Sequence, residues 1–393
     1  MLRIDDSVSI QKTKSSSFRG ALIASTVMAF AGLGDALLYP LLPVYGKDMG
    51  FSVFFIGLLL SVNRFVRILM NTVIANMVNQ LGMKKILIIT SILATITTFL
   101  YGVKLGLIVF LIARILWGLS YAGLKIATLN YAAYSENKSG LAFGLSTSIK
   151  TLGAFLILWF GPMVITKYGI ANGLFIVSLI SSIGVVLVIY LPKYKGIKTD
   201  KVQTKETFKP SAINILVFML SITIDGVLVV VLSYLLKDEY LNSNQLLAAV
   251  AFYLLLKRLF VLILSFVSGL ITLKIPAIKL FNTAVLFCVI GLFLISAGFI
   301  IPGILLTFLF NPIIVTFSPL VVIERQQQEK NVLQAISSIS TWWDFGAAMG
   351  AFIGIFLINA IGQQLLFFIL SIFILILFTS YLIQNAKTDR KII

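Results

Sequence analysis

Long apolar runs alternate with short stretches of charges, glycines and prolines along nearly the whole 393-residue chain. A run of about 20 apolar residues crosses the hydrocarbon core of a bilayer as an α-helix. In lipid, only helices and closed barrels satisfy their own backbone groups. The pattern predicts twelve spans, near 18–45, 51–79, 84–103, 106–134, 138–166 and 170–192, then 211–236, 243–271, 276–299, 301–323, 331–359 and 362–384. The longer runs must tilt or project beyond the hydrocarbon. The longest polar interruption, residues 193–210, falls at the midpoint and carries six lysines. It divides the chain into a six-helix half over 1–192, a cytoplasmic linker over 193–210 and a second six-helix half over 211–393. The expected fold is an all-α polytopic membrane protein, its two halves enclosing a central cavity.

Composition agrees. The chain is 59% hydrophobic and 11% charged, with a mean hydropathy of +1.05. Globular chains average about 45–50% apolar and about 25% charged, so a soluble enzyme, a nucleic-acid-binding domain and a disulfide scaffold are excluded. There is no histidine, which removes zinc-hydrolase motifs, Ser-His-Asp triads and histidine relays. The single cysteine, Cys288, sits in an apolar run and has no intrachain partner to oxidise with. The formal charge of +17 follows from topology. With the N-terminus inside, the cytoplasmic segments hold twenty Lys and Arg, and the opposite side holds only Lys47, Lys104, Lys167 and Lys237. This is the positive-inside bias. It places both termini in the cytoplasm and the protein in the cytoplasmic (inner) membrane. No cleavable signal is expected, because residues 1–17 are polar and the first apolar run exceeds signal-peptide length.

Ten charges remain inside the spans: Arg64, Arg67, Arg114, Lys125, Lys150, Lys257, Arg258, Asp35, Asp225 and Asp344. Each costs about 2.5–3.5 kcal/mol at mid-bilayer on insertion scales, so a polar destination is needed. The third, sixth, ninth and twelfth spans carry none of them, as outer supporting helices would. The others then surround a water-filled cavity, the alternative being snorkelling near helix ends. The excess of bases lies in the first half, and such a cavity concentrates anions. Arg114, Gly118 and Lys125 share one helix face, because eleven residues make about three turns. Arg64 and Arg67 are neighbours at i, i+3. Candidate cargo contacts are therefore Arg64, Arg67, Arg114, Lys125, Lys150 and Arg258, with Tyr39 and Tyr121. Some of these bases could instead form structural or gating ion pairs, Arg114 foremost. Asp35, Asp225 and Asp344 are the proton-carrier candidates, since a carboxyl among cations can switch protonation during a cycle. Asp35 and Asp225 lie 190 positions apart, and Arg64 and Arg258 lie 194 apart, which suggests a parallel repeat.

Local motifs carry a resemblance. Ala75 to Lys84 occupies the loop after the second span, with Gly82 and Lys84 in place and Asn79 where an Asp is usual. Arg114 to Gly118 reads R-x-x-x-G in the fourth span, and Gly161-Pro162 keeps part of a G-P-x-x-G-G pattern in the fifth. Asp35 to Pro43 closes the first span in the matching style. The chain resembles the major facilitator superfamily, in its twelve-span proton-coupled members. The resemblance implies a gating role for the loop of Asn79, Gly82 and Lys84, and proton coupling for Arg114. Asn79 cannot supply the negative end of that gate's charge relay. A nucleotide-driven pump does not fit: Gly144 to Thr151 mimics a P-loop, but Ile149 stands where Gly is required.

The expectation is a non-enzymatic secondary transporter that moves a small organic anion, such as a carboxylate-rich metabolite or a siderophore-like metallophore, by proton-coupled alternating access. Its expected partners are the anionic solute, protons and the lipid bilayer. Nucleic acid and cofactors are not expected, and the chain should act as a monomer. The alternative is a polyspecific drug/proton antiporter, for which Tyr39, Trp117, Tyr121, Trp342 and Trp343 would supply aromatic walls.

Overall fold

The computed structural model describes residues 4–46, 48–103, 106–135, 138–192, 201–237, 243–325 and 332–389. Lys104 and the linker residues 193–200 lie outside them. Among the described residues all regular structure is helical. The first half comprises α1 (Ile4–Ala31), α2 (Leu33–Tyr45), α3 (Val53–Leu81), α4 (Met83–Gly102), α5 (Gly106–Ala133), α6 (Ser139–Tyr168) and α7 (Ile170–Leu187). A short linker helix, α8 (Thr204–Thr207), precedes the second half. That half begins with α9 (Ala212–Leu220), a π-helical segment (Ser221–Val227), α10 (Leu228–Val230) and α11 (Leu232–Leu236). It continues through α12 (Ser243–Ile271), α13 (Ala277–Ser296), α14 (Ile300–Arg325), α15 (Val332–Ile361) and α16 (Gln363–Asp389).

Among the described residues, eleven helical stretches are long and apolar enough to cross a membrane, counting α1–α2 as one and α9–α10 with its π-segment as another. The twelfth span is α15, 30 residues long, whose first turns are rich in Ser, Thr and Gln. The two first spans of the halves are the irregular ones. The initial span breaks at Gly32, and its counterpart changes to π-helix around Asp225. π-Segments recur at functional sites. Elsewhere one glycine with positive φ suffices to reverse the chain: Gly82 at φ 85° separates α3 from α4, and Gly169 at φ 80° separates α6 from α7. A side chain there would be strained.

The charge-free helices stand where the sequence predicts. α4 packs on α5 and α7, and α13 on α14 and α16, while Ile89, Leu179, Ile290 and Phe373 stay exposed to the lipid side. The halves meet through α3 against α15 and α6 against α12. Both seams are tight toward the end of the bundle that carries the linker. At one, Asn71 donates to the Thr341 hydroxyl at 3.2 Å. At the other, Ser148 donates to the Leu262 carbonyl at 2.7 Å, and Gly144 lies so close to Gly269 that a methyl group would overlap its backbone. The linker itself straps this end. Asn76 exchanges two 2.8 Å hydrogen bonds with Val202, and buried Thr207 contacts Thr72 on α3 and Gln334, Ser338 and Trp342 on α15. Farther from the linker, Phe54 on α3 and Phe352 and Phe356 on α15 are 74%, 85% and 74% exposed.

Candidate functional site

A cavity of about 200 Å³ lies between the halves. Asp35 and Tyr39 from α2, Trp117 and Tyr121 from α5, Lys150 and Thr151 from α6, and Arg258 from α12 line it. Met28, Gly32, Asp35 and Tyr39 recur at helical spacing, so the first span presents one continuous face to the cavity across Gly32. Trp117 and Tyr121 are four residues apart on α5 and so share a face, their rings meeting edge-on at 5.9 Å. A larger cavity of about 470 Å³ lies at the far end of the first half, among Asp48–Phe51, Tyr101–Val103 and Tyr168–Asn172. It touches none of the span bases.

The charges sort into balanced and unbalanced groups. Asp35 accepts from Arg114 at 2.5 Å, and the same guanidinium donates through Nε to the Leu59 carbonyl at 2.6 Å. Arg114 is fully buried beside the Tyr101 ring. Asp225 accepts from Lys257 at 2.6 Å and from the Asn311 amide at 3.4 Å. Asp344 receives both Arg67, at 3.1 Å, and Lys125, at 3.4 Å. Arg67 in turn lies 4.6 Å from the centre of the Tyr121 ring, beneath the cavity. Among the described residues, Lys150 and Arg258 form no ion pair, and both face the cavity. Trp117 lines it too, and its buried indole N–H has no protein partner. Two cations without an ion-pair partner among the described residues, in a low-dielectric pocket, attract an anion and can hydrogen-bond it.

Comparison with known proteins decides the family. The model of the Major Facilitator Superfamily matches residues 24–324. The chain belongs to the major facilitator superfamily. No curated protein matches the sequence. Among solved structures, the human organic anion transporter MFSD10 (TETRAN) superposes with a TM-score of 0.68 at 15% identity, covering 94% of this chain and 98% of that one. FucP, a superfamily transporter solved in the outward conformation, gives 0.69 at 16% identity, covering 92% and 98%. A second structure of the E. coli fucose:proton symporter FucP gives 0.68 at 15% identity, covering 92% and 97%. These identities speak for the fold. The protein is an integral membrane transporter with the superfamily's twelve-helix architecture.

Within that architecture the sequence-predicted residues divide. Asp35, Tyr39, Tyr121, Lys150 and Arg258 come together on the cavity wall. Arg67, Arg114 and Lys125 point to aspartates instead, and Arg64, half-buried on α3, neither lines the cavity nor forms an ion pair among the described residues. Asp225 and Asp344 also lie off that wall. In the loop expected to gate, Gly82 makes the turn, and Asn79 is half-buried in the last turn of α3. Lys84 donates to the carbonyls of Ile189 and Leu191 at 2.8 and 2.7 Å, tying α4 to the end of the sixth span. Three residues escaped the charge-based reading: the Trp117 indole as a donor, and the amides Asn63 and Asn311 beside the aspartates.

Proposed function

We propose that this superfamily transporter moves a small organic anion, a carboxylate-rich metabolite or metallophore, by proton-coupled alternating access, and performs no chemistry on it. The observation that carries the reading is the pair Lys150 and Arg258, cations that form no ion pair among the described residues, on the wall of a cavity that touches both halves. An anionic cargo group would bridge them, with the Trp117 N–H as a third donor and Tyr39 and Tyr121 flanking its apolar part. The organic anion transporter among the fold relatives lends support, as does the fucose:proton symporter for proton use. Asp35, Asp225 and Asp344 are the candidate proton sites. With linker and termini in the cytoplasm of a cell whose inner membrane holds the chain, the strapped end faces inward and the structure is an outward-facing monomer.

The aromatic wall of Tyr39, Trp117 and Tyr121, together with Asp35, favours a second reading, a drug/proton antiporter for lipophilic cations. One experiment separates the two: thermal stabilisation of purified protein by mono-, di- and tricarboxylates and by cationic amphiphiles. On the anion reading, Lys150→Gln and Arg258→Gln each weaken carboxylate binding by about ten- to a hundredfold, the scale of one charge-assisted hydrogen bond. Carboxylate stabilisation that survives both substitutions overturns the assignment. Tighter binding of the cationic amphiphiles in the variants favours the antiporter.

A further inference from the structure

The three buried aspartates differ in where their partners come from. Asp35 pairs with Arg114, and Asp225 with Lys257, each inside its own half. Alternating access in this architecture is largely a rocking of one half against the other. A rigid rocking motion carries those two pairs along intact, so the occupancy of either carboxyl by a proton is not by itself different in the two states. Asp344 is placed otherwise. It sits on α15 of the second half, 5% exposed, and both its partners, Arg67 on α3 and Lys125 on α5, belong to the first half. One turn earlier on α15, Thr341 is held by Asn71 of α3, so the ion pairs lie directly above the strapped seam. Opening the linker end must pull α15 away from α3 and separate Asp344 from its cations.

We propose that Asp344 is the residue that ties proton uptake to opening of the linker-side end. A ligand shifts a two-state equilibrium only by its differential affinity for the states. A proton and the Arg67 and Lys125 cations compete for one carboxylate. In the closed state the cations hold it, and in the open state the proton can. Proton binding and separation of α3 from α15 therefore favour each other, and the linkage is reciprocal. The charged and titratable groups facing Asp344 are Arg67 from α3, Lys125 and Tyr121 from α5 and Lys150 from α6, with the neutral Asn71 beside them. Tyr121 lines the cavity and stacks on Arg67, and Lys150 lines it as well. Cargo on one side of that layer and a proton on the other thus act on the same cations.

The inference rests on the protein's being a proton-coupled transporter, but its test needs no cargo. In a Cys288→Ala background, spin labels at Leu81→Cys and Val332→Cys, on the linker ends of α3 and α15, report the gap between the halves in lipid nanodiscs. In the parent protein, acidification should raise the open-to-closed ratio by about tenfold, an ordinary coupling strength. Asp344→Asn should show the raised ratio at every pH and lose the response, whereas Asp225→Asn and Asp35→Asn retain it. A response in Asp344→Asn equal to the parent's, or one abolished by Asp35→Asn alone, overturns the proposal. The double variant Arg67→Gln with Lys125→Gln keeps the carboxyl but removes its competitors, so acidification must no longer favour opening in it, and a preserved opening response again overturns the proposal. Failure of the anion reading would appear instead in the Lys150 and Arg258 binding measurements, with this response intact.

Discussion

Both halves place an aspartate on their first span and answer it with one cation and one amide, but the helices that supply them are exchanged. In the first half, Asp35 takes its cation from α5 (Arg114, 2.5 Å) and a long amide hydrogen bond from α3 (Asn63, 3.5 Å). In the second, Asp225 takes its cation from α12, the counterpart of α3 (Lys257, 2.6 Å), and its amide from α14, the counterpart of α5 (Asn311, 3.4 Å). The repeat therefore preserves a charge-balanced carboxylate, and not the identity of the residue at each position. Burial differs as well. The Arg114 and Asp35 side chains are 0% and 16% exposed, those of Lys257 and Asp225 14% and 22%. Only the first cluster reaches the cavity.

The largest expected effect follows from that difference in burial. Arg114→Met leaves Asp35 without its cation and the Leu59 carbonyl without its donor, which should destabilise the fold by about 3–5 kcal/mol, as for other broken buried pairs. Lys257→Met strands a carboxylate with more access to water and should cost about 1–3 kcal/mol. Thermal or denaturant unfolding in detergent measures both. Equal losses would break the comparison, because the two clusters would then be electrostatically equivalent despite their different depth.

A transplant sharpens the exchange of helices. Arg114→Asn alone should lose several kcal/mol. Adding Asn63→Lys gives the first half the arrangement of the second, a cation from α3 and an amide from α5, and should recover about half of the loss or more. The same unfolding measurement reads it, and a double variant no better than Arg114→Asn would show that the cation must come from α5.

Much of the fold was legible because lipid imposes one rule on every span, and the apolar runs state it openly. The predicted run 84–103 became Met83–Gly102, and the charge-free spans took the outer positions. The breaks at Gly32 and around Asp225 carried no such signal, since a π-turn needs no change of hydrophobicity. The site was half legible. Charge counting named every ionic residue of the cavity wall, and its cargo candidates also include Arg64, Arg67, Arg114 and Lys125, which lie off that wall. Spacing fixes a shared face for Arg64 and Arg67 on α3 and for Arg114 and Lys125 on α5, but it says nothing of the opposing helix that brings Asp344. Asn63 and Asn311 carry no charge and escaped altogether. A signal for the first did exist: Asn63-Arg64 and Lys257-Arg258 stand at one offset of 194, so a lysine in one half aligns with an amide in the other.

The smallest effects belong to those amides, and they test what the exchange leaves behind once the cations are matched. Asn63 and Asn311 are 0% and 1% exposed, and each reaches its aspartate only at the long end of the hydrogen-bond range, 3.5 and 3.4 Å. The side-chain oxygen of each is buried without a partner. Replacing either by leucine removes one weak donor, worth about 0.5–1.5 kcal/mol, but also removes an unsatisfied oxygen whose burial is itself unfavourable. The two terms oppose each other, so Asn63→Leu and Asn311→Leu should both change unfolding stability by less than about 1 kcal/mol. The result should be the same in the two halves, because the amide geometry is the same although the helices are not. A loss above about 2 kcal/mol at Asn63 alone would make the amide a full partner of Asp35. The first half would then balance its aspartate with two helices where the second relies on one.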